Sequence, residues 1–83
     1  MQIRINIALK KAVLDTQGKA IEASLNKNHG YSQITNVRQG KFVDIEINEN
    51  DDEKIKNIVD DICDKLLVNK IIEDYSYQIL NNK

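Results

Sequence analysis

The sequence predicts an α+β fold in which two helices cover one face of a four-stranded antiparallel sheet. Residues 2–10 and 42–47 alternate apolar and polar side chains, which is the period of a half-buried strand. Residues 51–67 repeat apolar side chains at helical spacing. With a second helix and two weaker strands the element order becomes βαββαβ. That order is typical of the two-layer, ferredoxin-like sandwich.

Residues 2–10 are the clearest predicted strand, and four apolar side chains share one of its faces: Ile3, Ile5, Ile7 and Leu9. A helix is predicted to follow, with Asp15 or Thr16 as its N-cap and an end near Asn28. Its only large apolar residues are Ile21 and Leu25, so this helix is expected to bury little surface.

Residues 34–38 predict a second, more polar strand, which turns through Gln39 and Gly40 into the third strand at residues 41–47. The first and third strands carry the cleanest apolar alternation. We therefore expect these two strands in the centre of the sheet and the other two at its edges.

The second helix is predicted over residues 51–67, with Asn50 and Glu53 as a capping box at its start. Residues 71–80 predict the last strand, and the polar residues 81–83 are expected to fray. The whole chain, residues 1–83, is then one domain.

Composition indicates a soluble globular domain, with 41% apolar and 30% charged residues. No apolar run approaches a membrane span, and the N-terminus has a strand pattern rather than that of a signal peptide. A single cysteine, Cys63, cannot form an intramolecular disulfide, which favours a reducing cytoplasm. A domain of 83 residues buries a modest core, so association with copies or partners is expected.

Charge is divided unevenly along the chain. Residues 1–41 hold seven Lys/Arg and two Asp/Glu, whereas residues 42–83 hold five and eleven, giving +5 and −6. Most of these charges are expected on solvated faces, and the asymmetry could orient docking. The net charge of −1 argues against nucleic acid or an acidic membrane as a partner.

A catalytic set is hard to find in the sequence. His29 stands alone at a helix end, and Cys63 is best explained as a small buried hydrophobe. Gly18 and Gly40 are isolated, so a glycine-rich phosphate loop is absent from the sequence. We predict no catalytic, cofactor-binding or metal-binding residue on this chain.

Three stretches of the sequence stand out together: VLDTQGK at residues 13–19, VRQGK at residues 37–41 and CDKLLVN at residues 63–69, the last running on to IEDY at residues 72–75. Together they resemble the PurS family, the small subunit of phosphoribosylformylglycinamidine synthase. The resemblance extends over essentially the whole chain. One departure is Thr16, where the family usually has a proline at the first helical position.

The resemblance implies a non-catalytic subunit. In such complexes a glutaminase subunit releases ammonia, and a large synthetase subunit uses it with ATP and magnesium to form the amidine. The small subunit bridges the two partners, assists ammonia transfer and forms a homo-dimer or homo-tetramer. It would work in the cytoplasm, contact neither nucleic acid nor membrane, and hold no cofactor itself.

By the same resemblance, two motifs are the expected partner interface: Asp15, Gln17, Gly18 and Lys19 in the first, and Arg38, Gly40 and Lys41 in the second. Three residues are expected at the self-association surface: Glu73, Asp74 and Tyr75.

Two other functions remain open on the sequence. Amino-acid-binding regulatory modules share the βαββαβ order, so a small-molecule-sensing module is the main alternative. A stand-alone hydrolase that uses Arg38 as an anion site is the other.

Overall fold

The computed structural model describes residues 1–80, which form three strands, two helices and one π-helical turn. In chain order the elements are β1 (Gln2–Leu9), α1 (Thr16–Asn28), β2 (Gly40–Glu46), α2 (Asp52–Ile62), the turn Cys63–Leu67 and β3 (Glu73–Leu80). The predicted fraying of residues 81–83 lies outside the described residues.

β1 is the central strand of the sheet and pairs antiparallel with β2 on one side and β3 on the other. Ile5 stands opposite Val43 and Tyr77 in this register. Ile3, Ile5 and Ile7 all point to one face and are buried, with at most 2% exposure. The strand predicted from apolar alternation is therefore confirmed as the centre of the sheet.

The predicted strand at residues 34–38 is wrong, so the sheet has three strands rather than four. Asn36 has a left-handed backbone (φ 58°), which interrupts an extended chain. The Val37 amide donates to the Glu22 carboxylate rather than to a neighbouring strand. Gly40 begins β2 and pairs with Ala8 instead of forming a hairpin turn, and β2 becomes an edge strand instead of a central one.

α2 packs on the sheet through a narrow apolar stripe. Ile55, Val59 and Cys63 are fully buried in one cluster with the β1 isoleucines. The N-cap is Asp51, whose carboxylate accepts a 2.9 Å hydrogen bond from the Glu53 amide, so the capping box predicted from Asn50 is wrong.

The last turn of this helical segment is widened. The Val68 amide donates to the Cys63 carbonyl, five residues back, at 3.1 Å. The wider turn leaves Leu66 82% exposed, while Val68 joins the core. Helical structure to residue 67 is thus confirmed, although its final turn is not α-helical.

α1 contributes no side chain to the core described above, and Gly18 is its only buried residue. The expectation that both helices cover one face of the sheet therefore holds for α2 alone. The chain is correspondingly elongated, with principal-axis extents of 48 × 33 × 15 Å. Its radius of gyration is 16.2 Å, whereas a compact domain of this length has one of about 12 Å.

Candidate partner interface

The first predicted motif begins with a buried carboxylate. Asp15 is 4% exposed and is the N-cap of α1. Its Oδ1 accepts from the Gly18 amide at 2.9 Å, and its Oδ2 accepts from the Gln39 amide at 2.6 Å. These amides of Gln39 and Gly18, with the Arg38 guanidinium nearby, lower the pKa of Asp15 below its ordinary value. One ionised side chain thus joins the start of α1 to the residue before β2.

Gly18 permits a close approach of two backbone segments. A Cβ atom at this position would lie 2.5 Å from the carbonyl oxygen of Val37, well inside van der Waals contact. Glu22, one turn further along α1, accepts a 3.1 Å hydrogen bond from the Val37 amide. The return segment therefore runs directly against the first turns of α1.

Arg38 lies across the connection that leads from β1 into α1. Its guanidinium donates to the carbonyl oxygens of Lys10 at 3.1 Å and of Leu9 and Val13 at 3.3 Å each. The sequence predicted a cation presented to a partner, whereas this guanidinium is bonded to backbone within the chain.

The second motif ends beside the beginning of β3. Lys41 Nζ lies 3.5 Å from Glu73 Oε2, and a Cβ atom on Gly40 would lie 2.8 Å from the Ile7 carbonyl. A cavity of about 280 Å³ lies between the two motifs, with Asp15, Gln17, Gln39, Lys41 and Glu73 in its lining. The structure therefore brings the two predicted motifs together at one end of β1.

The three residues predicted for self-association already have partners within the chain. Glu73 accepts from the Asn69 amide at 2.8 Å, and the Asp74 carboxylate lies 2.6 Å from Lys10 Nζ. The Tyr75 hydroxyl donates to Asp60 at 2.8 Å, and this hydrogen bond raises the pKa of Tyr75 to about 12. Their role between copies stays a prediction.

The outer face of the sheet carries a polar arrangement that sequence reasoning missed. Arg4 makes two hydrogen bonds to Asp44, at 2.8 and 2.9 Å, and its guanidinium lies 4.1 Å from the ring centroid of Phe42. Asn6 donates to Gln78 at 3.2 Å across β1 and β3. A correct pairing of β1 with β2 would have predicted the Arg4–Asp44 pair, because these residues stand opposite each other. Asn6 stands opposite Ser76 and reaches Gln78 diagonally.

The potentially reactive side chains of the described residues are not arranged for catalysis. His29 is the exposed C-cap of α1, and burial raises the pKa of the fully buried Cys63 thiol. Residues 1–80 contain no cluster of side chains suited to holding a metal ion. Within the same range, no helix has the length and apolar character needed to cross a membrane.

Sequence comparison connects this arrangement to one family. The PurS family model, described as phosphoribosylformylglycinamidine (FGAM) synthase, matches residues 2–81. The chain is 36% identical to the PurS subunit of this synthase from Bacillus subtilis, over 94% of this chain and 90% of the relative. It is 37% identical to the PurS subunit from Methanocaldococcus jannaschii, over 88% and 87% of the two chains.

Solved structures of PurS proteins share the α+β fold. The crystal structure of Methanocaldococcus jannaschii PurS aligns with a TM-score of 0.85 at 34% identity, over 99% of this chain and 98% of that one. A chain in the structure of PurLQS from Thermotoga maritima aligns with a TM-score of 0.86 at 30% identity, over 95% of each chain.

Proposed function

Because this chain belongs to the PurS family of FGAM synthase subunits, we propose that it bridges the glutaminase and synthetase subunits and assists ammonia transfer between them. The chain is a non-catalytic subunit of a ligase complex in purine biosynthesis. The single observation that carries the bridging role is its similarity, at a TM-score of 0.86, to a chain of the Thermotoga maritima PurLQS structure. The family assignment favours this role over a small-molecule sensor or a stand-alone hydrolase.

Ammonia chemistry supports an assembly role. Free ammonia is largely protonated in neutral water, and ammonium is not a nucleophile, so transfer between two active sites benefits from excluding bulk solvent. A subunit that aligns two partners can serve this transfer without a reactive group of its own. ATP and magnesium then belong to the large subunit, this chain holds no cofactor, and the complex works in the cytoplasm.

The two motifs are the proposed docking region, and their exposed side chains are the ones that can reach a partner. The side chains of Lys19 and Lys41 are each 61% exposed, and Gln17 is exposed beside them. Ammonium groups on a well-anchored surface suit carboxylates of another chain. Asp15, Gly18, Arg38 and Gly40 support this region from within the chain.

Self-association into a homo-dimer or homo-tetramer is part of the proposal. The elongated shape and the large exposed apolar side chains near α1 support it: Leu14, Ile21 and Tyr31 are 67%, 42% and 50% exposed. Such side chains are commonly covered in an assembly. Glu73, Asp74 and Tyr75 are the proposed self-association residues on the sheet.

Reconstitution of the synthase tests the bridging role. The glutaminase and synthetase subunits are assayed for amidine formation with and without this chain, using either glutamine or added ammonia as the nitrogen donor. We expect this chain to raise the glutamine-dependent rate and to leave the ammonia-dependent rate nearly unchanged. Equal glutamine-dependent rates with and without it would refute the proposal.

A further inference from the structure

The direction in which α1 leaves the sheet needs an explanation, because α1 places no side chain in the core. We infer that Asp15, Gly18 and Arg38 are positioning residues that set this direction, rather than residues that themselves contact a partner subunit. The inference rests on the proposed function as an assembly subunit. We call residues 11–39 the arm, and Asp15, Gly18 and Arg38 together the joint.

The joint holds both ends of the arm. Arg38 bonds the connection before α1 through the carbonyl oxygens of Leu9, Lys10 and Val13. Asp15 bonds the first turn of α1 to the Gln39 amide, immediately before β2. The segments that enter and leave the arm are therefore bonded to each other at the end of β1.

Gly18 sets how closely these segments approach. A Cβ atom added here would lie 2.5 Å from the Val37 carbonyl oxygen and would force α1 and the return segment apart. That movement would also lengthen the Asp15 bonds, since the carboxylate itself would lie 2.6 Å from the added atom. The joint therefore depends on a residue without a side chain at this position.

Asp15 and Gly18 have little left to offer a partner, and the exposed Arg38 already uses three of its five N–H donors inside the chain. Both oxygens of the 4%-exposed Asp15 carboxylate already accept amide hydrogen bonds, and the Arg38 guanidinium already serves three carbonyls. Gly18 has no side chain and is buried. Lys19, with a side chain 61% exposed, is by contrast available for contact once the joint has oriented α1.

Distances between spin labels test whether the joint sets the direction of α1. Labels are attached to Lys27→Cys on α1 and Lys54→Cys on α2, both exposed positions, while the fully buried Cys63 stays unlabelled. Dilution with unlabelled protein restricts the signal to distances within one chain. We expect one narrow distance distribution in the parent and a broad one with Asp15→Asn. Both oxygens of the carboxylate accept a hydrogen bond, whereas the nitrogen of an amide group is a donor and cannot accept one.

Two further variants complete this experiment. Asp51→Asn is the matched control, because Asp51 caps α2 through one amide bond at 2.9 Å and has no role in the joint; its distribution should stay narrow. Gly18→Ala removes no polar group and adds only one methyl group. It should nevertheless broaden the distance distribution as Asp15→Asn does. Narrow distributions for both joint variants would overturn the inference.

Binding to the glutaminase and synthetase subunits is then measured with the same variants. We expect Asp15→Asn and Gly18→Ala to weaken binding roughly tenfold and Asp51→Asn to leave it unchanged. A broader distance distribution without weaker binding would overturn the inference. Weaker binding without a broader distribution would also overturn it, because it would identify direct contact with the partner. Failure of the parent chain in the glutamine-dependent assay would instead refute the proposed function, and the label distances would still decide whether the joint orients α1.

Discussion

Two regions of the molecule are stabilised by different interactions. One is the sheet together with α2, which we call the sheet side, and the other is the arm. The sheet side is held by buried apolar side chains, with Ile3, Ile5 and Val59 fully enclosed. The arm is held at its base by hydrogen bonds that the Asp15 carboxylate accepts and the Arg38 guanidinium donates, while three of its large apolar side chains stay exposed: Leu14, Ile21 and Tyr31. Burial of apolar side chains stabilises the sheet and α2. The arm is oriented by its hydrogen bonds but buries few apolar side chains. This difference supports the proposal that other chains complete the arm.

The largest expected effect is on the core. Ile5→Ala should lower the free energy of unfolding by about 2–5 kcal/mol, because a fully buried side chain leaves a cavity between sheet and helix. Ile58→Ala, at a 37% exposed position of α2, is the control and should cost clearly less. Denaturant unfolding measures both. Similar losses for the two variants would contradict the assignment of the core.

Gly18→Ala gives a second test, in which the sign of the effect is informative. Alanine normally stabilises a helix interior by up to about 1 kcal/mol relative to glycine. Here the added methyl group would meet the Val37 carbonyl, so we expect a loss of stability instead. Lys27→Ala, on the exposed last turn of α1, should change the unfolding free energy little. A stabilised Gly18→Ala protein would show that the arm tolerates separation of its two segments.

Acid should loosen the arm through Asp15. The folded protein lowers the pKa of Asp15, so the carboxylate contributes stability above its unfolded pKa of about 3.9. That contribution is lost as the pH falls through the lower folded pKa. The stability difference between the parent and Asp15→Asn, as followed by denaturant unfolding, should therefore be nearly constant from neutrality down to about pH 5 and shrink as the pH falls below about 3.9. A difference independent of pH would contradict this account.

The smallest expected effect is on the titration of Tyr75, on the sheet side, at alkaline pH. The hydrogen bond to Asp60 raises the pKa of Tyr75 to about 12, so its stabilising contribution is complete below the unfolded tyrosine pKa of about 10 and is lost as the pH rises through the folded value. Asp60→Asn should lower the pKa of Tyr75. Ultraviolet absorbance of the phenolate, with Tyr75→Phe to identify the signal, measures the change. An unaltered titration in Asp60→Asn would refute the role of this carboxylate.

Sequence periodicity predicted β1 and α2 well, but it did not predict the tertiary contacts of the arm, for physical reasons. β1 and α2 each bury one face, and burial imposes a period on neighbouring residues. Asp15 was predicted, with Thr16 as the alternative, to be the N-cap of α1, because the capping bond is local. Its second bond, to Gln39, joins residues 24 positions apart, and the bonds of Arg38 reach back 25 to 29 positions, so no local pattern carries them. The strand predicted at residues 34–38 failed for the same reason, since the Glu22 side chain, 15 positions earlier, accepts the hydrogen bond of the Val37 amide.

The family motifs include the residues of the joint, but the motifs do not show what these residues contact. Asp15, Gly18 and Arg38 were predicted to contact partners, and the structure gives each of them a bond or a close contact inside the chain. On our inference, these family motifs include residues that orient an interface as well as residues that form it.

The thinness of the molecule limits how far apart it would hold two partner proteins. Its shortest principal extent is 15 Å, because the sheet and α2 form two layers in the described residues. Two proteins seated on its opposite broad faces would be kept about that far apart, and a small neutral molecule passing between them would travel a path only a few molecular diameters longer than direct contact allows. Because bulk solvent has to be kept out of such a path, a thin spacer leaves a shorter length of it to be sealed than a thick one would.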